Sequence, residues 1–210
     1  NEDPAIVQVP FPDGYWTEDT SFELFLRTLE QKGLRPENVA GVMFESYQGV
    51  GPDFAPVDYI RQLAAWCKAN QALLIFDEVQ AGFGRTGKFW AFEHYGVVPD
   101  LICCGKGISS SLPLSAVLGR PEVMDQFGPG SMTSTHTGNP VCCAAALASL
   151  RKITGQNLTA NAQRLGLILA AGLEQLQKRH PQIIGHCSCR GLVGGLQIIK
   201  PGRKEPNHEL

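Results

Sequence analysis

The chain has 210 residues, of which 43% are hydrophobic and 18% charged, and its formal net charge is -2. This length is enough for one substantial core and the start of a second domain. A nearly neutral chain without an apolar run of roughly 18 residues indicates neither a nucleic-acid partner nor a membrane span.

Helical and strand patterns alternate along the first part of the chain. A capping box formed by Thr20 and Glu23 predicts the start of the first helix. In order, the patterns predict a helix over residues 21–32, a strand over 39–45, a helix over 56–70 and a strand over 73–76.

The later elements follow a glycine-rich stretch. They are a short helical segment over 89–95, strands over 101–104 and 113–118, helices over 139–153 and 157–179, and a strand over 191–199. Asn139 and Pro140 are typical of a helix start. The loop 107–112 is too short for a parallel crossover, so the strand after it is expected to run antiparallel to its neighbour.

The alternation up to residue 120 predicts an α/β fold with three layers and a mostly parallel sheet. In such a sheet the carboxyl ends of neighbouring strands share one edge, where ligands bind. Asp77 follows one buried strand and Lys106 lies just past the next. A carboxylate facing an amine across a flat heteroaromatic ring is the arrangement that pyridoxal phosphate requires.

Two other interpretations of this stretch are not favoured. Residues 73–78 also resemble the strand and acid that hold magnesium in P-loop ATPases, but no GxxxxGK[ST] loop occurs. Gly82, Gly84 and Gly87 match the GxGxxG pattern of dinucleotide-binding proteins. That pattern should follow its strand directly and be followed by an acid at the end of the next strand, whereas Asp100 precedes the next strand.

The seven cysteines are odd in number and contain no CxxC pair, which excludes a zinc ribbon and a thioredoxin motif. Nothing near Cys187 and Cys189 completes a ligand set, so no metal site is expected. We expect buried free thiols in a reducing compartment. The expected location is cytoplasmic, with the mitochondrial matrix as the open alternative.

Three blocks resemble the class III aminotransferases, the fold type I pyridoxal-phosphate enzymes that act on ornithine, acetylornithine and 4-aminobutyrate. The blocks are DEVQAGFGRTG, PDLICCGKG and STHTGNP, within a resemblance over about residues 11–199. It implies that residues 1–155 belong to the large cofactor-binding domain. Residues 156–210 would be a linking helix and the start of a small C-terminal α+β domain.

The resemblance also implies roles in binding the cofactor. Lys106 would form a Schiff base with pyridoxal 5'-phosphate, and Asp77 would pair with the pyridine nitrogen. Val79 would pack on the ring, and Gln80 would donate a hydrogen bond to its phenolic oxygen.

Further residues would complete the site. Thr135 would contact the cofactor phosphate of a partner subunit in a homodimer, and Ser134 is a further hydroxyl donor beside it. Glu45 would line the substrate pocket, although its block reads Glu-Ser-Tyr-Gln-Gly, with Ser46 where the family has proline.

The activity implied is ping-pong transfer of an amino group from an amine or amino acid to an oxo acid or aldehyde. A decarboxylase, an aminomutase and a non-catalytic relative remain as alternatives. The sequence resembles the middle of a longer enzyme, truncated at both ends. We therefore expect the 210-residue piece alone to be inactive and poorly soluble.

Overall fold

The computed structural model describes residues 3–51 and 53–209. Its helices are α1 (Phe22–Gln31), α2 (Val57–Ala69), α3 (Pro121–Met124), α4 (Pro140–Gly155) and α5 (Leu158–Arg179). Its strands are β1 (Gly41–Glu45), β2 (Leu73–Asp77), β3 (Leu101–Cys104), β4 (Ala116–Gly119), β5 (Ile184–Arg190) and β6 (Val193–Ile198). Short 3₁₀ turns occupy Pro36–Asn38, Ala91–Tyr95 and Lys106–Ile108.

The first four strands form one sheet in the order β1-β2-β3-β4. The pairs β1–β2 and β2–β3 are parallel, whereas β4 runs antiparallel to β3. The predicted α/β class, the mostly parallel sheet and the reversed fourth strand are confirmed. The register places Glu45 beside Asp77 and Asp77 beside Cys103, so three strands end at one edge.

One face of this sheet carries the main hydrophobic core, against α1 and α2. The core is rich in aromatic rings, which bury large apolar areas. Its buried aromatic side chains are Phe22, Phe25, Phe44, Tyr59, Phe76, Phe92 and Tyr95. On the opposite face Met43 is 57% exposed. Side chains alternate along a strand, so Glu45 and Asp77 share the face of Met43.

The last two strands form a separate antiparallel hairpin packed on α5. The sequence analysis predicted β6 but not β5, because β5 contains no continuous apolar run. Division of the chain near residue 155 stays a prediction. Within the described ranges, no helix has the length and apolarity to span a membrane.

The starts of two helices, α1 and α4, can be compared with the capping residues that the sequence predicted. The capping box of Thr20 and Glu23 is wrong, because Ser21 is the N-cap of α1 and no side chain caps it. The Asn139 cap is confirmed, since its side chain accepts hydrogen bonds from the N–H groups of Val141 and Cys142.

Candidate active site at the carboxyl edge of the sheet

Asp77 and Lys106 lie at the carboxyl ends of adjacent parallel strands, as the pattern predicted. Asp77 is half-buried, and its Oδ1 accepts a hydrogen bond of 2.9 Å from the N–H of Val79. Lys106 has a φ of +36°, in the left-handed region that residues other than glycine rarely adopt. Such strain is concentrated at functional sites. No ion pair among the described residues includes either side chain.

Lys106 is an exposed residue that lies between two cavities of about 570 and 330 Å³. The larger cavity has a volume in the usual range for small-molecule sites. Arg85 and Gly107 also line both cavities. The remaining wall of the larger cavity is formed by Tyr47, Gly49, Val50, Gly51, Gln80, Gly82 and residues 192–197.

Gln80 reaches this cavity in contact with a tyrosine that the sequence did not indicate. The Tyr47 hydroxyl donates a hydrogen bond of 2.8 Å to Gln80 Oε1. Burial raises the pKa of Tyr47, so its hydroxyl stays a donor at neutral pH. Gly49 leaves room for the pair, since a Cβ there would lie 3.1 Å from Gln80 Oε1. The amide is therefore held in place by a neighbour on the β1 turn.

Glu45 occupies the end of β1 beside Asp77. Burial raises the pKa of its carboxyl group, and the nearby negative charge of Asp77 acts in the same direction. A hydrogen bond of 3.5 Å from the N–H of Gly49 and the positive charge of Lys106 oppose this shift. The predicted pocket residue thus lies within the electrostatic field of both Asp77 and Lys106.

The glycines of residues 82–87 pack against other elements of the fold. Gly84 has a φ of +92°, and a Cβ there would lie 3.1 Å from Thr159 of α5. At Gly87 a Cβ would lie 3.0 Å from Gln163 of the same helix. The carbonyl of Arg85 accepts a hydrogen bond of 2.8 Å from the N–H of Leu192, next to the hairpin turn. The dinucleotide interpretation is wrong, because these glycines do not open a helix, as that fingerprint requires.

The hairpin wall of the cavity is attached to the loop after β1 by a buried acid. Asp53 is 2% exposed, and its Oδ2 accepts a hydrogen bond of 3.1 Å from Gln197. Its Oδ1 lies 3.3 Å from His186 Nε2. Asp53 is 144 residues from Gln197 in the chain, and the three residues form no recognisable motif, so no local pattern indicates this contact.

Ser134 and Thr135 are exposed and do not line either cavity. Ser134 instead bonds locally, its N–H donating to Thr137 Oγ1 at 3.0 Å. The structure therefore places Lys106 and Gln80 on the wall of the larger cavity and leaves these two hydroxyls on the surface. Glu45 and Asp77 lie side by side at the ends of β1 and β2 but are not among the lining residues of that cavity. Among the described residues, no group of three or more metal-binding side chains occurs.

The fold and this edge define an α/β protein with an acid and a lysine where open sheets bind ligands. A model of the family described as aminotransferase class-III matches residues 2–209. The chain belongs to the class-III aminotransferase family.

Two curated relatives are similar in sequence to nearly the whole of this chain. The chain is 37% identical to a 4-aminobutyrate aminotransferase of Mycobacterium leprae, over 98% of this chain and 47% of that protein. It is 36% identical to an isoleucine 2-epimerase of Lentilactobacillus buchneri, over 98% of this chain and 48% of that protein. The chain thus spans about half the length of these curated relatives.

A solved structure of a taurine:2-oxoglutarate aminotransferase from Bifidobacterium kashiwanohense, in complex with PLP and glutamate, matches with a TM-score of 0.80. The two chains are 30% identical, and the match covers 88% of this chain and 42% of that one. The predicted family and fold are therefore confirmed.

Proposed function

We propose that the protein is a pyridoxal-phosphate-dependent aminotransferase that moves an amino group from an amine or amino acid to an oxo acid or aldehyde. The observation that carries this proposal is the placement of Asp77 and Lys106 at adjacent strand ends, with Lys106 on a cavity of about 570 Å³.

The residues present fit the cofactor. When bound, pyridoxal phosphate supplies an electron sink for the substrate carbon. Asp77 would hold a proton on the pyridine nitrogen, because a nearby carboxylate favours a positive charge. Val79 would contact the ring face, and Gln80, held by Tyr47, would donate to the phenolic oxygen. Lys106 would hold the cofactor covalently through Nζ.

Lys106 Nζ, once released, would take the proton from the substrate carbon and return it to the cofactor side, as a general base positioned beside both. Glu45 would face the substrate, and its charge responds to Lys106 and Asp77. The donor leaves as an oxo compound, and the acceptor leaves with the amino group, so atoms balance over two half-reactions.

We further propose a homodimer in which Ser134 and Thr135 contact the phosphate in the partner's site. The exposure of both side chains supports this arrangement. Val141, six residues after Thr135 in the chain, is an apolar side chain that is 65% exposed and is suited to an interface between copies.

Epimerisation of an amino acid is the second candidate, because the Lentilactobacillus buchneri relative carries that name. Both reactions begin with removal of the same proton, but epimerisation returns it to the opposite face of the substrate carbon and needs no acceptor.

A two-stage assay of the full-length protein separates these functions. The protein loaded with pyridoxal phosphate is mixed with single amines and amino acids, and then with an oxo acid or aldehyde. The proposal predicts one equivalent of oxo product per site before the acceptor is added, and many equivalents afterwards. Inversion of the donor without acceptor would instead establish an epimerase, and release of carbon dioxide a decarboxylase. The Lys106→Ala variant is the control.

A further inference from the structure

Glu78 is a buried acid at the site to which the proposed reaction gives no role. Its side chain is 0% exposed, directly after Asp77 in the chain. Burying a carboxylate is costly unless hydrogen-bond donors replace water. The environment of Glu78 therefore shows what this acid does in the fold.

Donors surround both oxygens of the Glu78 side chain. Oε1 accepts hydrogen bonds from the Ser46 hydroxyl and from the N–H of Phe92, the latter at 2.8 Å. Oε2 accepts one of 2.9 Å from the N–H of Ala91. Burial raises the pKa of Glu78, and these three donors oppose that shift. An ionised carboxylate only accepts hydrogen bonds, so the ionised form satisfies every contact.

These contacts join the strand ends of the site. Ser46 directly follows Glu45, and Glu78 directly follows Asp77, so one side-chain hydrogen bond links the turns that carry both acids. Ser46 is itself 0% exposed. A proline at this position, as in the block that the sequence resembles, has no hydroxyl to donate.

Two further hydrogen bonds hold the same turns in place. The N–H of Glu78 donates a hydrogen bond of 2.8 Å to the carbonyl of Cys103 in β3. The hydroxyl of Tyr95, a fully buried residue of the 3₁₀ turn Ala91–Tyr95, donates one of 2.6 Å to the carbonyl of Ser46. Glu78 and Ser46 together thus connect the ends of β1, β2 and β3 to the 3₁₀ turn Ala91–Tyr95.

We propose that Glu78 and Ser46 are a positioning pair that fixes Asp77 and Gln80 relative to Glu45 and Tyr47, and thereby sets how the cofactor ring lies. The pair acts through these neighbours and does not touch the reacting atoms. This inference rests on the proposed function, because it needs a cofactor between Asp77 and Lys106.

Ser46→Ala and Glu78→Gln in the full-length protein test the pair. Thr28→Val is the matched control, because Thr28 is a buried residue of α1 whose hydroxyl donates to Leu24 O, away from the site. Each variant is measured for thermal stability without cofactor, affinity for pyridoxal phosphate, and the pH midpoint of the visible absorbance of the bound cofactor.

Ser46→Ala should weaken cofactor affinity about five-fold, as expected for one lost hydrogen bond, and should shift the pH midpoint. Glu78→Gln should have a larger effect, because an amide N–H replaces an acceptor among three donors. Thr28→Val should lower stability alone. If Glu78→Gln does not fold, Ser46→Ala still decides the question.

Affinity and pH midpoint unchanged in Ser46→Ala, with a loss of stability like that of Thr28→Val, would overturn the positioning role and leave the proposed function standing. A parent protein that shows no visible absorbance with pyridoxal phosphate would instead overturn the proposed function itself.

Discussion

The turns after β1 and β2 differ sharply from the segment over residues 126–139, although the family resemblance assigns cofactor contacts to both. In the turns Ser46, Tyr47 and Glu78 are buried and joined by hydrogen bonds to Gln80 and Tyr95. In the segment every residue is exposed. Hydrogen bonds and buried side chains of this chain therefore hold one half of the proposed site in place. The other half has an exposed surface position that suits a second copy.

Truncating a buried core side chain beneath the turns should have the largest effect, a loss of stability. Phe76 is 0% exposed and packs its ring against Phe44, Phe92 and Tyr95. Phe76→Ala should lower the free energy of unfolding by about 3–5 kcal/mol, because it leaves a cavity beneath Asp77. Urea unfolding of the full-length protein measures this. Lys68→Ala, an exposed change on α2, should stay within about 0.5 kcal/mol. Equal losses in both variants would show that the core does not support this edge.

Removing the charge of Asp77 at the end of β2, while keeping its hydrogen bond, should lower the reaction rate without lowering stability. In Asp77→Asn the side-chain carbonyl still accepts from Val79, but no negative charge faces the ring nitrogen. We expect kcat to fall about 100-fold, a typical loss for one electrostatic contact in an active site. Stability should change by less than about 1 kcal/mol. Steady-state kinetics that match the parent protein would remove Asp77 from the proposed mechanism.

The exposed segment should give the smallest effect and none on folding. Thr135→Ala should weaken affinity for pyridoxal phosphate about ten-fold, the value of one hydrogen bond to a charged group. Thermal stability without cofactor should stay unchanged, because Thr135 is exposed. Thr133→Ala, two residues away and also exposed, is the matched control. Identical titrations of the two variants would separate Thr135 from the phosphate.

Much of the sheet could be predicted from sequence because its strands are continuous apolar runs with clear ends. Residues 73–76 and Leu101–Cys104 lie close to the observed bounds, and the short loop 107–112 correctly predicted the reversed β4. In contrast, β5 has no apolar run, so only its pairing with β6 defines it.

The site was predicted only in part for a related physical reason. Asp77 and Lys106 follow strands directly, so topology alone places them. Tyr47 and Glu78 act through hydrogen bonds to residues more than 30 positions away, which no local pattern encodes. The glycines that pack against α5 also match the GxGxxG pattern of dinucleotide-binding proteins, although they have a different role in this fold.

We propose that Lys106 holds the cofactor opposite Asp77. The most direct measurement is borohydride reduction of the full-length protein with bound pyridoxal phosphate, followed by proteolysis and mass spectrometry of the labelled peptide. We expect a single pyridoxyl group on Lys106. A label on any other lysine, or on none, would contradict it.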